Sequence, residues 1–260
     1  MKNIIIIFLS IVALLCLCRA AIVYSDCNPS DAIWSDQFTS KQSRWEWGYN
    51  EGTGYQTITT KDGYSVVELG ITSQSSSSSY SDCSLHEKTY YISNGVFEAR
   101  IKYEGNGDFG TLGWGIWNYS NPYSADAVWF WNSTTGGSAV GFQAMVCSNG
   151  KIKYQHYLPS IDITEWHVYR VDLQSNGCTF YIDGVEVAHT PLRPTKNQRF
   201  EMWADNYRIS VSGDTMLPVG YKSISQNQRI YVDWAIYYSE CPEEEPPVEI
   251  LPITNFHIID

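Results

Sequence analysis

From residue 55 to residue 238 apolar and polar residues alternate with a period of two, and no long 3.6-residue pattern interrupts them. The alternation predicts strands over Ser65–Thr72, Val96–Tyr103, Thr111–Trp117, Ala127–Asn132 and Ala139–Cys147. Further strands are predicted over Lys151–Tyr157, His167–Leu173, Thr179–Ile182, Phe200–Ala204 and Ile230–Tyr238. Turn signals separate many of them, among them Lys61-Asp62-Gly63, Ser148-Asn149-Gly150, Ser175-Asn176-Gly177 and Asp183-Gly184. Many strands at this spacing, without βαβ alternation, define an all-β sandwich or barrel. Gln74–Ser79, a serine-rich run, reads as a solvated connection.

The two ends depart from this pattern. Residues 1–20 open with Lys2, run apolar from Ile4 to Cys18 and close on Cys18-Arg19-Ala20, the form of a secretory signal peptide. The run of 15 residues is short for a membrane span of about 20, and an uncleaved N-terminal anchor is the rival reading. No other segment is apolar enough to span a bilayer, so a secreted or extracellular-surface protein is expected. From Glu240 the chain holds six of its 28 acids and no Lys or Arg. Residues 241–260 therefore read as an acidic, proline-stiffened linker or tail, and residues 25–240 as one domain. An oligomer, or a further module after residue 245, stays open.

The composition adds three constraints. A net charge of −11 argues against a nucleic-acid partner, because phosphate neutralisation needs a basic face. Cys27, Cys83, Cys147, Cys178 and Cys241 of the mature chain allow two disulfides and leave one thiol over. With no CxxC or paired Cys/His spacing, a zinc site is not expected. Asn118-Tyr119-Ser120 and Asn132-Ser133-Thr134 are glycosylation sequons. Aromatic residues make up 15% of the chain, and Trp114, Trp117, Trp129 and Trp131 crowd into one short stretch. Strand alternation should send about half of these rings into the core. The other half can stack on the apolar faces of sugar rings.

Several segments resemble glycoside hydrolase family 16, the laminarinases, lichenases and their relatives. Ile33-Trp34-Ser35-Asp36-Gln37-Phe38, followed by Trp45, is similar to that family's opening. Asn94-Gly95-Val96-Phe97-Glu98-Ala99-Arg100-Ile101-Lys102 resembles its YGxFEARIK strand, and Trp114-Gly115-Ile116-Trp117 the WPAFW strand that follows. Glu165–Tyr169 with Phe180–Gly184 is similar to the FHxY…WYVDG hairpin, and Tyr231–Tyr237 to the last strand. The resemblance implies a concanavalin A-like β-jelly-roll sandwich of two antiparallel sheets, one of them concave and holding a glycan. It also implies neighbouring first and last strands, so that Cys27 and Cys241, which bracket the domain, form a disulfide. No cofactor is required. The resemblance does imply a structural Ca²⁺ on the convex side, bound with the help of Asp233. Read as an ordinary strand residue, Asp233 instead caps a neighbouring amide.

Members of that family that cleave glycans carry E-x-D-x-E or E-x-D-x-x-E on one strand, where alternation turns all the acids to the groove. The retaining mechanism uses two of them about 5 Å apart. The corresponding stretch here is Ser124-Ala125-Asp126-Ala127-Val128-Trp129-Phe130-Trp131-Asn132. With Asp126 at the nucleophile position, the middle acid becomes Val128 and the general acid Phe130 or Trp131. Asp126 is thus the sole catalytic candidate at the motif. Asp108, Asp205 and Glu201 lie in or beside strands expected to border the groove, and otherwise read as solvated carboxylates. The sequence favours a carbohydrate-binding jelly roll that takes a β-glucan-type polysaccharide without the retaining reaction. Trp117, Trp129 and Trp131 are then the stacking platforms, and Asp126, Gln143, Asp205 and Asn206 the hydroxyl contacts. The alternatives are an active hydrolase with displaced carboxylates and a structural surface or appendage subunit.

Overall fold

The computed structural model describes residues 27, 29–48, 50–89, 91–118 and 126–239. The signal-peptide reading, the tail from residue 241, Cys241 and the sequon positions Tyr119 and Ser120 lie outside these residues. Among the described residues no helix is long and apolar enough to cross a membrane.

Two antiparallel sheets carry the chain, with strands numbered in chain order. One sheet runs β14 (Val185–Thr190), β13 (Gly177–Ile182), β12 (His167–Gln174), β7 (Gly95–Glu104), β18 (Gln228–Tyr238), β5 (Tyr64–Ile71), β4 (Gly54–Lys61). β1 (Trp34–Asp36) also joins β18, with Trp34 opposite Tyr237. The first and last strands are neighbours, as expected. The second sheet runs β16 (Tyr207–Ser212), β17 (Thr215–Tyr221), β11 (Lys151–Tyr157), β10 (Gly141–Ser148), β9 (Asp126–Ser133), β8 (Thr111–Asn118), β15 (Arg199–Asp205), β6 (Asp82–Glu87), β2 (Trp45–Glu46). The short β3 (Asn50–Glu51) pairs with β6. This is the jelly-roll sandwich that the alternation and the family resemblance imply.

The period of two divides the second sheet into two faces. Leu112, Trp114 and Ile116 of β8, Val128 and Phe130 of β9, and Phe200, Met202 and Ala204 of β15 enter the core between the sheets. There they meet Phe97, Ala99 and Ile101 of β7, and Phe97 stacks on Phe200 with ring centroids 3.8 Å apart. The intervening residues face the other way. Ala127, Trp129 and Trp131 of β9, Met145 and Cys147 of β10, and Trp203 of β15 form a separate apolar cluster with Ile209.

That second cluster exists because the chain turns back over the sheet. After Asp205 it leaves β15 and enters the β16–β17 hairpin, which reaches β11 four strands away through Thr215 opposite Lys151. The Ile152 amide donates to the Asp214 carbonyl at 2.6 Å, and Tyr80, Tyr207 and Tyr221 pack together at the base. Ile209, Val211 and Met216 of the hairpin lie against the tryptophan cluster.

Cys27 is buried beside Val96, Trp234 and Tyr238 and is disulfide-bonded. Its expected partner Cys241 falls outside the described residues. Cys83, Cys147 and Cys178 are free, buried thiols.

Candidate glycan-binding site

The concave face of the second sheet holds a cavity of about 330 Å³. Its floor is a lattice of cross-strand neighbours. Trp131, Gly113, Trp203 and Ser84 form one row across β9, β8, β15 and β6. Trp129, Gly115, Glu201 and His86 form the next row, and Glu46 of β2 extends it. Ser133, Thr111, Asp205 and Asp82 form the row on the other side.

The two glycines on this face are structural requirements. A Cβ on Gly113 would stand 2.5 Å from the Trp203 indole, so the missing side chain makes room for the ring. Gly115 has φ +150°, and a Cβ there would meet the Val128 carbonyl oxygen at 2.3 Å. With that room, Trp203 lies 5.4 Å from Trp129 and 5.6 Å from Trp117 between centroids, while Trp129 stacks on Trp131 at 5.5 Å.

Trp117, Trp129 and Trp131 all line the cavity. Trp129 and Trp131 are nevertheless nearly covered, with 3% and 5% exposure, because the hairpin packs on them. Trp117 is half-buried. Trp203, which the sequence analysis did not single out, completes the aromatic surface.

The polar candidates divide. Asp205 faces the cavity; it accepts hydrogen bonds from the Thr111 amide (3.0 Å), the Thr111 hydroxyl (2.7 Å) and the Tyr207 amide (2.9 Å). Asp126 does not face it. Alternation turns its side chain away from Ala127 and Trp129, and its carboxylate accepts from the Asn149 amide at 2.7 Å and from the Thr195 amide and hydroxyl at 2.9 and 2.6 Å. The Lys196 amide donates as well, at 3.1 Å. Burial would raise its pKa, yet the donors of Thr195, Asn149 and Ser148 outweigh burial and hold it below the usual carboxylate value. Asp126 ties two loops together and stays ionised.

Gln143 shares the face of Trp131, but its amide nitrogen donates to the Ser138 and Val140 carbonyls under the Gly137–Ala139 turn. Asn206 is fully buried; it accepts from the Ser81 amide and donates to the Ser79 and Lys222 carbonyls, stitching the hairpin base. Neither lines the cavity. Asp108 pairs with Lys222 at 2.8 Å and accepts from the Ser225 amide. The Lys222 and Ser225 donors pull its pKa down to about 2.

The acids that do face the cavity come from β2, β6 and β15. Asp82 stands directly opposite Asp205 on paired strands. Burial pushes Asp205 up to about 6 against its three donors. Burial, followed by repulsion from Asp205, raises Asp82 well above the usual carboxylate value. The two carboxyls are thus cross-strand neighbours whose pKa values burial raises together. Burial also pushes Glu201 up to about 8, with Arg199 working against it and Glu46 adding to it. Glu201 and Asp205 lie four residues apart on one strand and both line the cavity, with Trp203 between them. His86 contacts Glu46 at 2.8 Å; burial and then Arg199 depress its pKa.

The Asp233 carboxylate already has a partner. Arg100 donates to the Asp233 carboxylate at 2.6 Å and lies over the rings of Tyr64 and Trp166. No group of three or more His, Cys, Asp or Glu side chains among the described residues is arranged to hold a metal, whereas calcium takes six to eight oxygens. As for the sequons, the Asn118 amide nitrogen donates to the Asn197 carbonyl at 2.6 Å, and Asn132 is paired on both sides within β9.

No family model matches this sequence, and no curated protein does. Solved structures do match its fold. The β-glucanase of Bacillus licheniformis is 18% identical with a TM-score of 0.54, over 80% of this chain and 98% of that one. A β-1,3-1,4-glucanase (lichenase) from a mouse hindgut metagenome is 19% identical with a TM-score of 0.54, over 80% and 99%. A protein of Mycobacterium tuberculosis described as an immunostimulatory antigen and pseudo β-1,3-glucanase is 16% identical with a TM-score of 0.55, over 81% and 99%. The chain therefore shares the jelly-roll fold of these proteins.

Proposed function

We propose that this chain is a secreted carbohydrate-binding jelly-roll protein that takes a β-glucan-type chain in the concave cavity and does not cleave it by the retaining mechanism. One observation carries the reading. The groove-facing positions of β9 are Ala127, Trp129, Trp131 and Ser133, so rings and small residues occupy the face on which the hydrolases place their acids. A cavity of about 330 Å³, walled by indoles with a few convergent polar groups, is at the small end of ligand sites. The glucanase names of the structurally similar proteins support the choice of ligand.

The testing experiment is calorimetric titration with laminarin and mixed-linkage glucan oligosaccharides. Binding by the wild type, weakened about 5- to 150-fold by Trp117→Ala, supports the reading, and no binding to either contradicts it. A second reading, a hydrolase with displaced acids, draws support from Asp82 and Asp205. They are adjacent buried carboxyls with raised pKa values, which suits proton transfer. Release of reducing sugar that disappears in Asp205→Asn would favour it.

A further inference from the structure

We infer that Trp129 and Glu201 form a hydroxyl-reading pair, one on each side of Gly115, for an uncharged sugar unit. The inference rests on the glycan-binding reading and names its contact and ligand class. Trp129, Gly115 and Glu201 are consecutive cross-strand partners on β9, β8 and β15. Neighbouring strands lie about 4.8 Å apart, so the two outer Cα atoms stand roughly 10 Å apart with no side chain between them. Both side chains line the cavity, and they are 3% and 5% exposed.

The Trp129 Nε1–H donor and the Glu201 Oε2 acceptor have no hydrogen-bond partner among the described residues. Two indoles beside Trp129 have partners of their own. The Trp131 indole donates to the Ala139 carbonyl at 3.1 Å, and the Trp203 indole to the Thr111 hydroxyl at 3.0 Å. Buried polar groups are rarely left unpaired. A single hydroxyl accepts from an N–H and donates to a carboxyl oxygen at once, so one sugar hydroxyl above Gly115 serves both.

The surrounding charge selects the class. Glu46, Asp82 and Asp205 face the same cavity. Its guanidinium, Arg199, already lies 3.8 Å from both Glu46 and Glu201 and donates to the Glu87 carbonyl. A sulfate or uronate would meet carboxyls, whereas a neutral hexose meets acceptors for its hydroxyls.

The test titrates the mature protein with laminaripentaose and, separately, with a κ-carrageenan tetrasaccharide, monitoring folding by near-UV circular dichroism. The wild type should bind the neutral sugar alone. Glu201→Met and Trp129→Phe should each weaken binding about 5- to 150-fold, while Glu201→Gln, which keeps an acceptor, should stay within about three-fold. Unchanged affinity in folded Glu201→Met or Trp129→Phe overturns the pair and leaves the glycan reading standing. Preference for the sulfated sugar overturns the class. Failure of the wild type to bind either sugar overturns the glycan reading and the pair with it.

Discussion

Asp82 and Asp205 are direct cross-strand partners on β6 and β15, and both line a cavity walled by indoles. Only Asp205 is well supplied with donors, from Thr111 and Tyr207. Ser84 alone donates to Asp82, at 3.1 Å.

The buried acids set a pH dependence of stability. The folded-state pKa values of Asp205 (about 6), Glu201 (about 8) and Asp82 lie above their ordinary values. Their contribution is complete below about pH 4 and is lost as pH rises through 6 and 8. Urea unfolding should show stability falling between pH 5 and pH 9. Glu201→Gln should flatten that fall, matching the wild type at pH 5 and exceeding it at pH 9 by up to a few kcal/mol. A variant curve parallel to the wild type would show that Glu201 ionises normally.

Gly113→Ala should displace the Trp203 ring, since a Cβ there stands 2.5 Å from it. We expect a loss of about 1–3 kcal/mol, the usual cost of overpacking, together with a change in tryptophan fluorescence. An unchanged melting temperature would mean that the indole has room to move.

Asp126→Ala removes the acceptor for Asn149, Thr195 and Lys196. Stability should drop by about 1–3 kcal/mol at pH 7. Because its folded pKa is depressed, the difference should shrink as pH falls below the ordinary carboxylate value. Glycan affinity should stay the same. A selective loss of binding in a fully folded variant would return Asp126 to the site.

Chelation tests Asp233. With Arg100 already on its carboxylate, excess EDTA should leave the thermal midpoint unchanged. A fall of several degrees, restored by calcium, would show a metal site.

The sequence carried the fold where one face of a strand is apolar. β7, β9 and β18 are readable from alternation, and the resemblance sets their order. β4 was not predicted, because Gln56, Thr57, Thr59 and Thr60 give an edge strand no apolar stripe. β6 hides for the opposite reason: Asp82, Ser84 and His86 look solvent-facing but are buried in the concave site. The β16–β17 hairpin, with Pro218 and Gly220, has few strand signals. Missing it obscured why Trp129 and Trp131 are covered. The side of the sheet that carries Trp117, Trp129 and Trp131 was legible because alternation fixes it. The Asp82–Asp205 pair was not, since it arises from strand pairing between distant segments. Asp126, Gln143 and Asn206 were chosen for polarity, and local donors and carbonyls claim them instead.

The central claim is binding without retaining cleavage, and one measurement addresses both halves. Laminaripentaose is titrated into the protein calorimetrically, and the same sample is then assayed for reducing ends after prolonged incubation. The account predicts saturable binding near one site per chain with no new reducing ends. Steady release of reducing sugar that is abolished by Asp205→Asn would contradict it and make Asp82 and Asp205 the reacting pair.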